Sequence, residues 1–228
     1  MKVYTSLAPW WSVLTPPGTY DVEAEFFLSL LGADIQSILE LGAGIGAIAS
    51  SFPAHLERIL VDRSAEMLNE SKKRNPTAEH ICSCAFDLYL SHRVDAVLIH
   101  DSIMYMTNIG QLEEMFACGY RHLNPEGRIL VVPDVVREYF HEHALSGGAE
   151  EDNKSIQMME WHWDPNPHDQ TYQMELSLLM REDGTVHAHH ESHTLGLFTI
   201  KEYCDALEKV GFSAIDVGTE GRYFLAKK

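Results

Sequence analysis

Basic side chains are scarce in this sequence. It contains 17 Lys and Arg residues against 34 Asp and Glu residues, which gives a formal net charge of −17 at pH 7. A protein that binds nucleic acid or an anionic membrane surface needs a basic face to neutralise phosphate groups. Since so few cations cannot form an extensive basic face, we expect neither nucleic acid nor a membrane among the partners.

Long apolar runs and paired cysteine motifs are also missing. Nowhere do 18 apolar residues follow one another, and the N-terminal segment lacks the apolar run of a signal peptide. The sequence therefore predicts a cytoplasmic protein. The four cysteines have neither CxxC spacing nor a zinc-binding pattern, so we expect reduced thiols: Cys82, Cys84, Cys118 and Cys204.

Short apolar runs alternate with helical stretches between Ser37 and Asp134. The runs are SILEL, RILVD, EHICSCAFD, DAVLIH and GRILVVPD, and turn residues bound each of them. This alternation predicts an α/β fold, with a parallel sheet covered by helices on both faces. Runs of Ile, Leu and Val without polar alternation are typical of strands that are buried on both sides.

The pattern changes after Asp134. The segment HALSGGAEEDNK predicts a mobile loop, and residues 172–180 alternate between apolar and polar side chains as a half-buried strand does. Asp183-Gly184 supplies the residues of a hairpin turn before the run VHAHHESHTLGLF. We therefore expect an antiparallel insertion over residues of about 136–198, and a closing hairpin at the end of the chain.

Capping residues mark several helix ends. Asp21 and Ser64 are candidate N-caps, because a short polar side chain can accept hydrogen bonds from free backbone N–H groups. Thr199 and Glu202 have the spacing of a capping box, and Gly211 follows the last helical residue of that segment.

A glycine-rich turn follows the first predicted strand, in the segment ILELGAGIG of residues 38–46. Glycines let the backbone come close to a ligand, and the next helix offers free N–H groups. Asp62 ends the following strand, where its carboxylate can accept hydrogen bonds from both hydroxyl groups of a ribose. These features predict a nucleoside site at the carboxyl ends of the strands.

The glycines also match the looser dinucleotide pattern, so a nicotinamide-dependent dehydrogenase is an alternative. Glu40 argues against it, because a carboxylate two residues before Gly42 favours a cationic ligand and repels a pyrophosphate. The glycine strand also begins behind a full predicted helix, whereas dinucleotide domains commonly open with that strand.

The ordered motifs ILELGAGIG, LVDRSAEML, CAFDLYL, DAVLIHDSIMYM and HLNPEGRILVVPD resemble those of the class I S-adenosylmethionine-dependent methyltransferases. The resemblance covers residues of about 20–134 and 199–228. The segments PPGTYDVEA, ESHTLGLFTIKEYCDALEKVGF and GRYFLAKK resemble small-molecule N-methyltransferases, among them amino-sugar N,N-dimethyltransferases and relatives of glycine/sarcosine methyltransferase.

The resemblance implies a Rossmann-like, doubly wound, mostly parallel sheet of seven strands, with an antiparallel C-terminal strand and an antiparallel β insertion. Residues 1–34 would close over the cofactor, residues 35–135 and 199–228 would form the core, and residues 136–198 would cover the substrate site. S-adenosylmethionine is then the expected cofactor. The expected reaction is methyl transfer to a small-molecule acceptor, with an amine nitrogen as the methylated atom.

The resemblance also assigns individual residues. Those expected to contact the cofactor are Tyr20, Glu40, Gly42, Gly44, Gly46, Asp62, Phe86, Asp87 and His100. Leu88 is an alternative to Phe86 beside the adenine. Three side chains are candidates to help remove a proton from an amine acceptor: His100, Asp101 and His193.

Two alternative functions and two local questions stay open. Trp10-Trp11 stands where the relatives often have a Tyr-Asp pair, so a non-catalytic cofactor-binding protein is an alternative, as is a protein methyltransferase.

His187, His189, Glu191 and His193 would share one strand face, but at about 3.3 Å per residue the ends lie about 20 Å apart, so we expect no metal site. The side chains of Met158, Met159, Trp161 and Trp163 form either a wall over the substrate or a packing surface.

Overall fold

The computed structural model describes residues 1–228 as two β-sheets and five α-helices. The helices are α1 (Ala8–Leu14), α2 (Asp21–Leu31), α3 (Ala65–Arg74), α4 (Ile109–His122) and α5 (Ile200–Val210). The strands of the larger sheet are β1 (Ser37–Leu41), β2 (Glu57–Asp62), β3 (Glu79–Cys82), β4 (Val94–His100), β5 (Leu123–Val132), β10 (Ser213–Val217) and β11 (Phe224–Lys227). The strands of the smaller sheet are β6 (His143–Glu151), β7 (Lys154–Trp163), β8 (Thr171–Glu182) and β9 (Thr185–Gly196).

The larger sheet has the strand order β3-β2-β1-β4-β5-β11-β10. The five strands from β3 to β5 run parallel, whereas β11 is antiparallel to both of its neighbours. All five residues of β1 are buried, as expected for a central strand with helices on both faces. The predicted doubly wound sheet with an antiparallel C-terminal strand is confirmed.

The smaller sheet is antiparallel throughout and follows the strand order β6-β7-β8-β9. Along β8 the apolar residues from Tyr172 to Met180 are buried at every second position, as predicted. Asp183 and Gly184 join β8 to β9 with backbone φ angles of +49° and +77°, the left-handed values that a tight hairpin requires. The antiparallel insertion is therefore confirmed.

The loop expected at HALSGGAEEDNK is wrong, because most of this segment forms the edge strand β6. None of the nine residues of β6 is buried. An edge strand is held by backbone hydrogen bonds on one side only, so it needs no apolar alternation that the sequence could reveal.

The N-terminal segment contains a helix, α1, that the sequence did not reveal. Its apolar side chains pack with those of β7 and β8 in one cluster, which includes Val13, Ile156 and Leu176. Asp21 is the first residue of α2 rather than its N-cap, which is Tyr20 without a side-chain bond. The Asp21 carboxylate instead accepts a 2.7 Å hydrogen bond from the Ser51 hydroxyl.

The other predicted caps are confirmed. The Ser64 hydroxyl accepts a hydrogen bond from the Met67 N–H, and Thr199 and Glu202 form both bonds of the capping box. Gly211 ends α5 in the left-handed conformation. The four cysteines are unpaired, and no helix combines the length and the apolar character needed to cross a bilayer.

Candidate functional site

The glycine turn folds across the end of β2. The N–H groups of Gly42 and Ala43 both donate to the Val61 carbonyl, at 2.8 and 2.9 Å. Gly42 has a φ of +78°, and a Cβ there would lie 2.3 Å from the Cβ of Ser102. A side chain would therefore push the turn away from the segment after β4. This close approach holds β1, β2 and β4 together where their carboxyl ends meet.

Asp62 fastens the same turn to the start of α3. One carboxylate oxygen accepts from the Gly44 N–H at 2.8 Å, and the other accepts from the Ser64 N–H at 2.8 Å. Burial raises the pKa of Asp62, against the two backbone N–H groups, which lower it. Each oxygen keeps a second acceptor position for a ligand hydroxyl group.

Glu40 is a buried carboxyl group without a full set of partners. Its exposed fraction is 3%, and one carboxyl oxygen has no hydrogen bond. Burial raises the pKa of Glu40 to about 8; nearby His100 lowers it, while Asp62 and Asp101 raise it further. An unpartnered buried oxygen of this kind is costly, and a cationic ligand would relieve the cost.

His100 is the last residue of β4, and its ring lies against the N-terminal part of α2 and the N-cap residue Tyr20. Its ring lies 5.8 Å from the Tyr20 ring and 5.4 Å from the Phe27 ring, both in edge-to-face geometry. Its Nε2 atom is 3.1 Å from Asp101 and 3.5 Å from Glu23. The structure thus brings together Tyr20 and His100, which the sequence analysis assigned separately to the cofactor site.

Asp101 and Asp134 follow the ends of neighbouring strands. Asp101 has a φ of +52°, and its N–H donates to the Val132 carbonyl at 3.1 Å, which turns it toward the end of β5. The carboxyl groups of Asp101 and Asp134 affect each other's pKa. Burial raises the pKa of both groups, and the charge of Asp101 raises that of Asp134 further. The sequence analysis missed Asp134, although its position after β5 matches that of Asp101 after β4.

The predicted adenine contacts lie beyond β3. Asp62 in β2 pairs with Cys82 in β3, so the segment after Cys82 continues past the same edge of the sheet. Asp87 is exposed there, and Phe86 is half-buried against the main core. Leu88 is buried, which leaves Phe86 as the more accessible of the two apolar candidates.

His193 lies behind two tyrosine hydroxyl groups. Tyr4 and Tyr105 are joined by a 2.5 Å hydrogen bond, and the Tyr105 hydroxyl is 2.9 Å from His193 Nδ1. The His193 side chain is fully buried, and its Nε2 atom is 3.0 Å from Glu191. Burial lowers the pKa of His193. His193 is therefore held between Tyr105 and Glu191 inside the protein, and its role toward an acceptor stays a prediction.

Histidine side chains of β9 contact other residues of the protein. Glu191 contacts the rings of both His189 and His193, and it also accepts from the Lys2 backbone N–H at 2.8 Å. No group of three or more His, Cys, Asp or Glu side chains has the arrangement of a metal site.

The aromatic residues of the N-terminal segment pack against the insertion. The Trp11 ring stacks at 6.0 Å on Tyr4, and its Nε1–H donates to the Val3 carbonyl at 2.8 Å. Lys154 lies 5.3 Å from the centre of the Trp10 ring. Three of the four candidate wall residues point away from the core on the outer face of β7, and are exposed: Met159, Trp161 and Trp163.

Residues 38–127 match a family model described as a methyltransferase domain. This range includes the glycine turn, Asp62, Asp87 and the His100-Asp101 pair. Residues 38–127 therefore form a methyltransferase domain. Its predicted enzyme class is thereby confirmed, and S-adenosylmethionine, the expected cofactor, is the methyl donor of the class I enzymes.

Several solved structures share the fold across nearly the whole chain. DesVI from Streptomyces venezuelae is 22% identical, with a TM-score of 0.82 and 93% of each chain covered. The sugar N-methyltransferase KedS8 from Streptoalloteichus is 17% identical, with a TM-score of 0.83, and the match covers 96% of this chain and 90% of that one. The amino pentose methyltransferase CalS10 from Micromonospora echinaspora is 20% identical, with a TM-score of 0.74 and coverages of 90% and 88%. No curated protein matches the sequence.

These similarities confirm the Rossmann-like class I fold, with its β insertion, and the resemblance to small-molecule N-methyltransferases. The residues present also fit the cofactor. S-adenosylmethionine carries a cationic sulfur and a cationic amino group, and the cleft has an unpartnered oxygen on Glu40 and further carboxyl groups on Asp62 and Asp101. A pyrophosphate would be repelled by the same groups, which argues against the dehydrogenase alternative.

Proposed function

We propose that the protein transfers the methyl group of S-adenosylmethionine to an amine nitrogen of a small, sugar-like acceptor. The observation that carries the proposal is the smaller sheet, which joins a methyltransferase core in an arrangement shared with a sugar N-methyltransferase over 96% of this chain. The acidic cleft beside it supports a cationic acceptor, since its carboxyl groups would attract an ammonium group.

The cofactor would be held by residues from four strand ends. Glu40 would face its amino group, the turn from Gly42 to Gly46 would pack along its methionine part, and Asp62 would accept from its ribose hydroxyl groups. Phe86 and Asp87 would contact the adenine. Tyr20 and His100 would close the site from the side of α2, beside the sulfur.

S-adenosylmethionine supplies a methyl group that is already activated by the positive charge of its sulfur. The task of the protein is then to align the acceptor nitrogen with that methyl group and to exclude water. Such positioning contributes on the order of 7–11 kcal/mol to lowering the barrier. Residues 136–198 would form one wall of the acceptor pocket, and residues 1–34 would close it, because Tyr4 contacts both Tyr105 and the insertion.

The test is production of S-adenosylhomocysteine with a panel of amino sugars, each compared with the sugar that has a hydroxyl group in place of the amine. We expect the wild-type protein to turn over the amino sugars and not their hydroxyl counterparts, and we expect no turnover in an Asp62→Ala variant. Asp205→Asn serves as the control, because Asp205 is a surface carboxylate that pairs with Lys201 on α5. Methylation of proteins in place of amines, or cofactor binding without turnover on any amine, would refute the proposed acceptor.

A further inference from the structure

The outer face of the smaller sheet is the surface of β6–β9 that points away from α1. Side chains alternate between the two faces of a strand, and the inward ones, such as Ile156 and Leu176, pack in the cluster that includes Val13 of α1. The outward positions of β7, β8 and β9 carry five large apolar side chains that are 36–60% exposed: Met159, Trp161, Trp163, Leu179 and Val186. Two of the four tryptophans of the chain thus lie on this face, and the proposed cofactor site uses neither.

These side chains form one patch around a hollow. Leu179 of β8 pairs with Gln157 of β7 and with Ala188 of β9. Two residues earlier in β8, Ser177 pairs with Met159. The small side chains leave a hollow of about 530 Å³ between the larger ones. An exposed apolar patch of this kind marks a surface that binds a partner of complementary shape.

The outer face carries no net charge, although the chain as a whole is strongly acidic. Among the outward positions of β7, β8 and β9, the only Asp, Glu, Lys or Arg side chains are Glu175 and Arg181. Their formal charges cancel, whereas the whole chain has a net charge of −17. Because acidic surfaces of two copies repel one another, a neutral apolar face is the surface at which a second copy can approach.

We propose that two copies of the chain pack face to face through the outer face of the smaller sheet and form a two-fold symmetric dimer. The proposal concerns assembly and does not depend on the acceptor. The two-fold axis runs across the strands, along one row of paired residues: Gly147, Met158, Leu178 and His189. Each position on the face then meets the position equally far from this row on the other copy.

This axis brings opposite charges together. Glu175 and Arg181 lie three residues before and three residues after Leu178 in β8, so a half-turn places Glu175 of one copy over Arg181 of the other. Only one oxygen of Glu175, Oε2, has hydrogen bonds within the chain, to His190 and Ser192. The other oxygen is available to the guanidinium group. An axis along the strands would instead place two Glu175 carboxylates over one another, which like charges disfavour.

The same axis sets large side chains opposite small ones. A large side chain of one copy can then enter the hollow that small side chains leave in the other, as in the packing of two sheets. Four of the resulting pairs combine a large and a small side chain: Leu179 with Ser177, Trp161 with Ser155, His190 with Ala188, and Val186 with Ser192.

The area of the face is sufficient for a stable dimer. Four strands about 4.8 Å apart and about ten residues long, at about 3.3 Å per residue, give a face of roughly 600 Å². Two copies would therefore bury on the order of 1,200 Å², the lower end of the range for specific interfaces. Tryptophan and methionine, which are enriched at such interfaces, supply much of its apolar part.

Sedimentation velocity of the whole chain tests the assembly. We expect the wild-type protein to sediment at about 10 µM with twice the chain mass of 25.8 kDa. Leu179→Lys should raise the Kd of the dimer at least about 100-fold, because it places two ammonium groups in the apolar centre of the interface. Circular dichroism should show that this variant is folded, since Leu179 is half exposed in one copy.

Leu145→Lys is the matched control for Leu179→Lys. Leu145 is 49% exposed and Leu179 is 50% exposed, but Leu145 belongs to the row of Glu160 and Leu176 on the other side of the sheet. The control should remain a dimer. A monomeric wild type would leave the outer face to a different partner and would overturn the proposal. A dimer that folded Leu179→Lys leaves intact would overturn it as well.

Charge reversal tests the axis. Glu175→Arg and Arg181→Glu should each raise the Kd of the dimer about tenfold, since each places like charges over one another. The double variant restores opposite charges in exchanged positions, so its Kd should return to within about threefold of wild type. Lost contacts within one chain would not be recovered in this way. Dimers that are disrupted by Leu179→Lys but show no recovery in the double variant would overturn the proposed two-fold arrangement.

Discussion

Glu40 and Glu191 are both carboxyl groups with little exposure, and they have opposite properties. Glu40, in the core sheet, keeps one oxygen without a partner, and burial raises its pKa to about 8. Glu191, in the insertion, is hydrogen-bonded through Oε2 to His189 and to the Lys2 N–H, and its Oε1 lies 3.0 Å from His193 Nε2 without a hydrogen bond. These neighbours hold its pKa below the usual value although burial opposes them. Glu191 of the insertion thus binds the N-terminal segment through the Lys2 N–H, whereas Glu40 of the core has a carboxyl oxygen available for a ligand.

The largest effect should come from the core, at Asp62. Replacing it with Ala leaves the Gly44 and Ser64 N–H groups without their acceptor and removes the proposed ribose contact. We expect S-adenosylmethionine affinity to fall at least 100-fold, about 2.8 kcal/mol, in calorimetric titrations. Asp62→Asn keeps one acceptor oxygen and should lose less. Equal affinity in wild type and Asp62→Ala would remove Asp62 from the site.

Glu40→Gln should separate binding from stability. The raised pKa means that the folded protein holds a proton more tightly than the unfolded chain does. Stability conferred by this group is therefore present below pH of about 4.5 and is lost as the pH rises toward 8. Glu40→Gln should remove this decline and gain on the order of 3 kcal/mol at pH 8 by urea unfolding, while weakening cofactor binding. A variant that is less stable than wild type at pH 8 would show that Glu40 has internal partners.

Glu191→Gln should show the reverse pattern. The lowered pKa of Glu191 contributes stability that is present above its unfolded pKa of about 4.5 and lost as the pH falls through the folded value. Replacing a charged acceptor of several hydrogen bonds should cost about 1–3 kcal/mol of stability near pH 7. Calorimetric affinity for S-adenosylmethionine should stay within a few-fold of wild type. A large loss of affinity with unchanged stability would place Glu191 in the ligand site.

Tyr105→Phe should have a smaller effect on the same side of the molecule. It removes the hydroxyl group that bonds both Tyr4 and His193, so we expect a loss of about 1–2 kcal/mol and looser closure of the N-terminal segment. Hydrogen exchange of residues 2–14 should become faster. Trp161→Ser, on the outer face of β7, is the matched control and should leave that exchange unchanged. Equal exchange in wild type and Tyr105→Phe would mean that the hydroxyl pair does not hold the segment.

The same contrast explains what the sequence could reveal. The core strands were predictable because a buried parallel strand is a continuous apolar run, and the glycine turn and Asp62 stand at fixed positions relative to those runs. The edge strand β6 was not predictable, because no buried side chains mark it. The Tyr4–Tyr105–His193 contacts join residues 189 positions apart in the chain, which no local pattern shows. Asp134 could have been found from the alignment of parallel strand ends.

The proposed function depends most directly on the ligand that the glycine turn and Asp62 bind. Calorimetric titration of the wild-type protein with S-adenosylmethionine, and separately with NADH, tests this point. We predict one site for S-adenosylmethionine, an affinity that increases as the pH rises to about 8 and then levels off once Glu40 is ionised, and no binding of NADH. Binding of NADH without S-adenosylmethionine would contradict the account.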